Sequence, residues 1–191
     1  MTPIEYVAAL FGIVSVYLVT RQSIWAWPTG IVNVGLYIAV FFAARLYADM
    51  GLQVVYLILS VYGWYAWLYG GAHHSALRVT RTSRRLGITL LLLNGAAWIV
   101  LATLLDRHTN AVLPWLDSLL TTSSLAAQWM MTRKLLEHWL VWIMVDVAYV
   151  PMYLSQGLYP TAALYAVFLV LAVMGYRDWR RPWRVAEAEP A

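Results

Sequence analysis

In the stretch WLVWIMVDVAYV, residues 139–150, a single carboxylate, Asp146, stands among uncharged and mostly apolar residues. A charge at the centre of a bilayer costs at least a few kcal/mol, so an acid placed there marks a position where a partner or a ligand compensates it. Trp139, Trp142, Asp146, Tyr149 and Tyr153 follow one another at steps of three and four, which sets them along one helical face. Asp146 lies about 10 Å along the helix from Trp139, near mid-membrane. Aromatic rings stack on flat heterocycles and attract cations through their quadrupole, at about 0.5–2 kcal/mol per contact. One carboxylate balances one positive charge, or accepts hydrogen bonds from a hydroxyl or an amide. Such a face suits a flat, polar, neutral or monocationic molecule. A dinegative phosphate would find no Arg or Lys inside the apolar segments, which excludes nucleotides more firmly than it selects any one nucleoside or vitamin.

Three further stripes share the same spacing. Asp117, Thr121, Ser124 and Gln128 form one, Thr29, Asn33 and Tyr37 a second, and Gln53, Tyr56 and Ser60 a third. Within lipid these groups must face one another or a wet cavity. Interhelical hydrogen-bond glue, at about 0.6 kcal/mol per bond, accounts for the hydroxyl residues as readily as a ligand does. It accounts poorly for an ionisable Asp146 between Trp142 and Tyr149. Trp139, close to a segment end, reads as an interfacial anchor rather than a ligand contact.

The elements that position these residues follow from composition. The chain has 191 residues, 62% hydrophobic and 12% charged, with a net charge of +4. Soluble domains carry about 25% charged residues, so this is an all-α integral membrane protein. Seven apolar segments, 4–19, 25–44, 51–70, 86–105, 111–131, 139–155 and 158–176, are mostly near the length a bilayer core demands. They make one transmembrane domain over 1–179, with a polar tail at 180–191 that is expected to fray. The start, MTPIEYVAALF, lacks the basic stretch and small-residue cleavage site of a signal peptide and reads as a retained helix.

Eleven of the thirteen basic residues fall at one end of the segments: Arg21, Arg78, Arg81, Arg84, Arg85, Arg133, Lys134, Arg177, Arg180, Arg181 and Arg184. Arg45 and Arg107 stand at the other. The positive-inside rule then puts the N-terminus outside and the C-terminus in the cytoplasm.

Sliding the chain against itself by 112 residues aligns Trp27 with Trp139, Ile31 with Ile143, Tyr37 with Tyr149, Leu46-Tyr47 with Leu158-Tyr159, Gly63 with Gly175 and Trp67 with Trp179. Several apolar identities lie between these landmarks, and Thr20-Arg21 meets Thr132-Arg133 upstream. Segments 1–3 (residues 4–70) and 5–7 (residues 111–179) read as two copies of a three-helix unit, with 86–105 as linker. One linker crossing gives both copies the same orientation, a transporter architecture in which the substrate site lies between repeats near the midplane.

Other classes fare worse. There is no cysteine, which excludes thiolate chemistry and thiolate metal sites. No GxxxxGK[ST] loop is present to couple ATP. The one lysine, Lys134, lies between segments, where a retinal Schiff base cannot form. The histidines (His73, His74, His108 and His138) fall in loops or at helix ends, leaving no nucleophile and base in reach and no convincing metal set. Neither a cofactor nor a nucleic-acid partner is expected. A sensor using the same pocket without transport is the remaining rival.

The stretch WPTGIVNVGLYIAVFFAARLYADMGLQVVYLILSVYGWYAW, with the later WLDSLLTTSSLAAQWMMTRKLLEHWLVWIMVDVAYVPMYLSQGLY and GYRDW, resembles the PnuC family of bacterial vitamin transporters. The resemblance covers nearly the whole chain, to Trp179. It implies a SWEET-like fold of three helices, a linker and three more, usually a homotrimer in the bacterial inner membrane. The cargo it implies is nicotinamide riboside, with thiamine in close relatives and riboflavin or deoxynucleosides in others. It also implies facilitated entry followed by trapping through cytoplasmic phosphorylation. The family's Trp followed four residues on by Asn in riboside carriers matches Trp142 and Asp146, so the Asn position holds Asp here. Its glutamine contacts match Gln53, with Gln128 beside it. Together with the stripes, the expected substrate-binding set is Asn33, Gln53, Tyr56, Thr121, Ser124, Gln128, Trp142, Asp146 and Tyr149.

Overall fold

Among the described residues seven long helices follow one another: α1 (Pro3–Thr20), α2 (Ala26–Ala43), α3 (Tyr47–Tyr69), α4 (Arg84–His108), α5 (Pro114–Thr132), α6 (His138–Ser155) and α7 (Tyr159–Ala188). The computed structural model describes residues 3–45, 47–109 and 113–188. Leu46 of the repeat alignment, positions 111–112 of the fifth segment and the last three tail residues fall outside it, as do the side chains of Arg181 and Arg184. The helices match the seven apolar segments to within a few residues, except at the end. The seventh continues to Ala188, through most of the stretch expected to fray.

Local chemistry explains several boundaries. Pro114 opens α5 at a position where a missing N–H costs nothing. Ser83 caps α4 by accepting a hydrogen bond from the Leu86 amide at 3.3 Å. The residues that end α1 and α5, Gln22 and Lys134, both take a left-handed conformation, with φ of 52° and 50°. Arg45 and Gly157, after α2 and α6, do so too, at 57° and 72°. Each pair is 112 positions apart. A left-handed non-glycine residue costs about 1–2 kcal/mol, so the turn geometry, more than the residue, sets the backbone at Gln22, Lys134 and Arg45.

Among the described residues five helices are long and apolar enough to cross a membrane by length and composition: α1, α2, α3, α4 and α7. Those outside that set, α5 and α6, carry Asp117, Thr121, Thr122, Ser123, Ser124 and Gln128, and Asp146, respectively. Their polar residues lower their mean hydropathy, and they turn them inward: Ser118, Thr122, Ser123, Ser124 and Asp146 are all buried. The helix α4, by contrast, exposes Leu91, Leu92, Leu93, Ile99 and Val100, as a lipid-facing helix does.

Packing follows the order α1 on α2 on α3 and α5 on α6 on α7, with α4 against α5. The two groups meet where α1 packs on α7 and where α3 packs on α5, contacts that exchange under the 112-residue shift. The ring of Trp27 lies on Gly63 and that of Trp139 on Gly175, so closely that a Cβ at either glycine would collide with the indole. The Trp67 indole N–H donates to the Met131 carbonyl at 3.0 Å, and the Trp179 indole N–H to the Val19 carbonyl at 3.0 Å. Val19 and Met131 are themselves 112 apart.

Beyond α3 a short 3-10 turn (Ala72–His74) leads into an extended strap. Thr80 donates its amide to the Lys134 carbonyl at 3.1 Å and accepts from the Leu136 amide at 2.8 Å. Glu137 accepts from Arg81 Nε at 2.9 Å and from the Thr82 amide and hydroxyl at 2.7 and 2.8 Å. Burial alone would raise the Glu137 carboxyl, but these donors hold it below its ordinary range. Burial pulls the Lys134 ammonium down. His73 and His74 are exposed, and among the described residues no cluster of metal-ligating side chains forms.

Candidate functional site

A cavity of about 520 Å³ lies within the bundle between the two helix groups, within the roughly 300–1,000 Å³ typical of small-molecule sites. All nine expected residues line it: Asn33, Gln53, Tyr56, Thr121, Ser124, Gln128, Trp142, Asp146 and Tyr149. They come from four helices, α2, α3, α5 and α6. On α6 the lining runs from Trp139 to Tyr153, about 21 Å of helix, so the cavity reaches most of the way across an apolar slab.

Asp146 is only 2% exposed and has no hydrogen-bond partner among the described residues. Its single open direction is the cavity it lines. Trp142, one turn away, is half-buried and packs against both hydrophobic clusters of the core, leaving part of its ring to the cavity. On the far side of Asp146, Tyr149, Tyr153 and Tyr165 close a triad with ring centroids 5.3, 4.8 and 5.1 Å apart, and Phe168 abuts Tyr165 edge-on at 5.8 Å. These rings support one another, which leaves little conformational entropy to lose on binding.

The remaining polar residues divide into those free to meet a ligand and those already engaged. Asn33 Nδ2 donates to the Ala8 carbonyl at 2.6 Å, so half of its amide ties α2 to α1. Ser124 donates to the Leu120 carbonyl at 2.8 Å within its own helix and also pairs with the Tyr56 hydroxyl across to α3. Gln53 and Gln128 carry no hydrogen bond among the described residues. Thr29, of the second stripe, back-bonds to Trp25 and Ala26 carbonyls and is not in the lining.

Sequence reasoning misplaced one residue and missed others. Trp139 is not an interfacial anchor: it is 2% exposed, wedged on Gly175 and in the cavity wall. Its position near a segment end suggested headgroup contact, but the glycine on α7 opens a slot for the ring. Trp27, Tyr165 and Phe168 also line the cavity. The 112-residue alignment held the clue to Trp27, since it pairs with Trp139.

That same alignment exposes how unlike the two halves are at the site. Asp146 corresponds to Val34, Trp142 to Gly30, Ser124 to Gly12, Thr121 to Ala9 and Gln128 to Val16, and all ten residues are in the lining. The α5–α6 side supplies rings and polar groups, and the α1–α2 side supplies small residues that leave room for something to lie against them. A Cβ at Gly12 would stand 3.0 Å from Asn33 Nδ2 and one at Gly30 3.0 Å from Ser15 Oγ, tighter than ordinary contact.

A multi-helix bundle crossing the bilayer, with a central cavity lined by rings and an unpaired carboxylate, defines a membrane transporter for a small organic molecule. The chain matches the family model described as nicotinamide mononucleotide transporter over residues 2–181, and it belongs to that family, the PnuC transporters. It is 28% identical to the nicotinamide riboside transporter PnuC of Escherichia coli, covering 92% of this chain and 84% of that one. It is 27% identical to the riboflavin/roseoflavin transporter RibM of Streptomyces davaonensis, covering 98% and 91%. Among solved structures it resembles the crystal structure of the vitamin B3 transporter PnuC, with a TM-score of 0.74 at 24% identity over 93% of this chain and 80% of that one.

Proposed function

We propose that this chain is a facilitator that carries nicotinamide riboside into the bacterial cytoplasm across the inner membrane, where phosphorylation traps it. The observation that carries this reading is Asp146, buried, unpaired and facing the cavity one turn from Trp142. A flat cationic ring stacked on Trp142 would bring its charge to that carboxylate, with the Tyr149 ring on the other side. Gln53, Gln128, Ser124 and Thr121, which line the cavity, would take a sugar's hydroxyls. The names of the Escherichia coli relative and of a Neisseria mucosa relative, 26% identical over 92% of this chain, both state nicotinamide riboside. A second reading is thiamine: Asp146 stands where riboside carriers of the family resemblance have Asn, and since nicotinamide riboside and thiamine are both flat cations the charge alone does not separate them. RibM shows that the same family also takes a neutral flat ring.

The bundle is read as two parallel three-helix copies joined by α4, the SWEET-like 3+1+3 arrangement, assembling as a homotrimer. Equivalent left-handed turns, glycine-seated tryptophans and crossed indole bonds support that reading. The basic end faces the cytoplasm in this arrangement. A fluorescent protein that matures only in the cytoplasm, fused to the C-terminus, is expected to light up. A dark but well-expressed fusion reverses the orientation.

Purified protein in liposomes is expected to equilibrate labelled nicotinamide riboside without concentrating it, with or without an imposed proton gradient. Accumulation above the outside concentration under the gradient would make Asp146 a proton-coupling group and end the facilitator reading. Binding without any uptake would make the protein a sensor.

A further inference from the structure

Two tryptophans, Trp27 and Trp139, form the cavity wall at its basic end. Trp67 and Trp179 lie one turn further along α3 and α7 than the glycines that seat those rings, with 2% and 0% exposure. The four indoles form a continuous chain of ring contacts: Trp27 to Trp67 at 5.2 Å, Trp67 to Trp179 at 5.8 Å and Trp179 to Trp139 at 5.6 Å. They fill the bundle between the cavity and the loops at that end, together with Val19, Leu136 and Ala172. Two kinds of contact meet here. The Trp27–Gly63 and Trp139–Gly175 seats lie within one helix group each. The indole bonds Trp67 to Met131 and Trp179 to Val19 run between the groups, as does the Trp67–Trp179 contact.

We propose that these four tryptophans are the gate at the basic end of the transport path, latched by the two indole hydrogen bonds that cross between the helix groups. Each group moves as a unit because its own tryptophan is locked on its own glycine. Across the plane between the groups at this end run ring edges, the indole bonds, of which Trp179 also reaches the Thr20 carbonyl at 3.2 Å, and a surface bond from Arg133 to the Tyr62 hydroxyl at 3.0 Å. The Val19 and Met131 carbonyls keep a second donor, the Gln22 and Lys134 amides, when the indoles leave. The buried N–H groups of Trp27 and Trp139 have no partner among the described residues. Unpaired donors raise the energy of the closed arrangement and keep it within reach of the open one. On one side only, the strap reinforces the latch. Leu77 donates its amide to the Trp67 carbonyl, Leu77 and Val79 pack on the cluster, and Lys134 Nζ sits 4.3 Å over the Trp67 ring. Trp25, at the other α-turn, is exposed, so the two sides of the gate are fastened unequally.

The chain lacks cysteine, so a single reporter reads sidedness without background and without any substrate. Val16 lines the cavity beside the cluster, and Val16→Cys in vesicles of each orientation can be titrated with a membrane-impermeant thiol reagent. Labelling is expected to be fast from the end opposite the basic one and slow from the basic end. Equal rates from both ends in this near-native protein would already overturn the gate. Adding Trp179→Phe, then Trp67→Phe, keeps the rings and removes the latches. Basic-end labelling is expected to rise about fivefold for each bond lost, the population shift that one net hydrogen bond sets, with opposite-end labelling unchanged. Gly175→Ala, which drives the Trp139 ring from its seat, is expected to act in the same direction. Folded variants whose basic-end labelling stays at the parent rate would sink the proposal, and a general loosening would betray itself by raising labelling from both ends.

Discussion

Trp142→Ala is expected to weaken substrate binding by about 1–3 kcal/mol, roughly 5- to 150-fold, taking ring-stacking losses on planar heterocycles as the guide. The ring is half-buried and packed on both core clusters, so its orientation is set before a ligand arrives. Truncation would leave a hole beside Asp146 and remove the surface on which a flat ring lies. Titration of the purified variant with nicotinamide riboside and with thiamine measures the loss directly. Unchanged affinity for every ligand would return the α6 stripe to interhelical packing and move the site elsewhere in the cavity.

Asp146→Leu is expected to cost about 1.5–3 kcal/mol, roughly 10- to 150-fold, the range of a hydrogen bond to a charged group. Leucine is close in size, so packing against α5 and α7 should survive while the carboxylate is lost. The informative partner is Asp146→Asn. It keeps shape and most hydrogen bonding and removes only the charge. For nicotinamide riboside the change is expected to be mild, since riboside carriers of the family resemblance use Asn at this position. For thiamine it is expected to be severe if the carboxylate serves as counter-ion. Binding of both vitamins to both variants separates the two readings of the cargo. A harmless Asp146→Leu would mean that the buried acid serves neither.

How far the site could be read in advance differs from residue to residue. The α6 face was legible because three- and four-residue spacing is a property of one helix, and Trp142, Asp146 and Tyr149 share it. Gln53, Tyr56, Thr121, Ser124 and Gln128 were found as stripes on their own helices, and the cavity joins them. Asn33 shows the limit of such reading. Its stripe was visible, but nothing in the spacing reveals that its amide bridges to the Ala8 carbonyl of α1. Trp139 failed for a related reason. Whether a ring near a helix end meets headgroups or a neighbouring glycine depends on which helix stands beside it.

Sequence by itself determined that the chain spans a membrane, where its helices begin and end to within a few residues, and that two stretches 112 positions apart are alike. Those follow from apolar length, from the periodicity of one helix and from identities along the chain, none of which requires knowing what packs on what. Only the tertiary structure decided which polar faces meet, that Trp67 and Trp179 bond across to the opposite group, and that α5 and α6 bury their polar sides around the cavity. In a bilayer the lipid is as apolar as leucine, so hydrophobicity does not choose the neighbours of a helix. Close packing at small residues and hydrogen bonds between helices do, and those are properties of pairs of faces that one strand of sequence does not spell out.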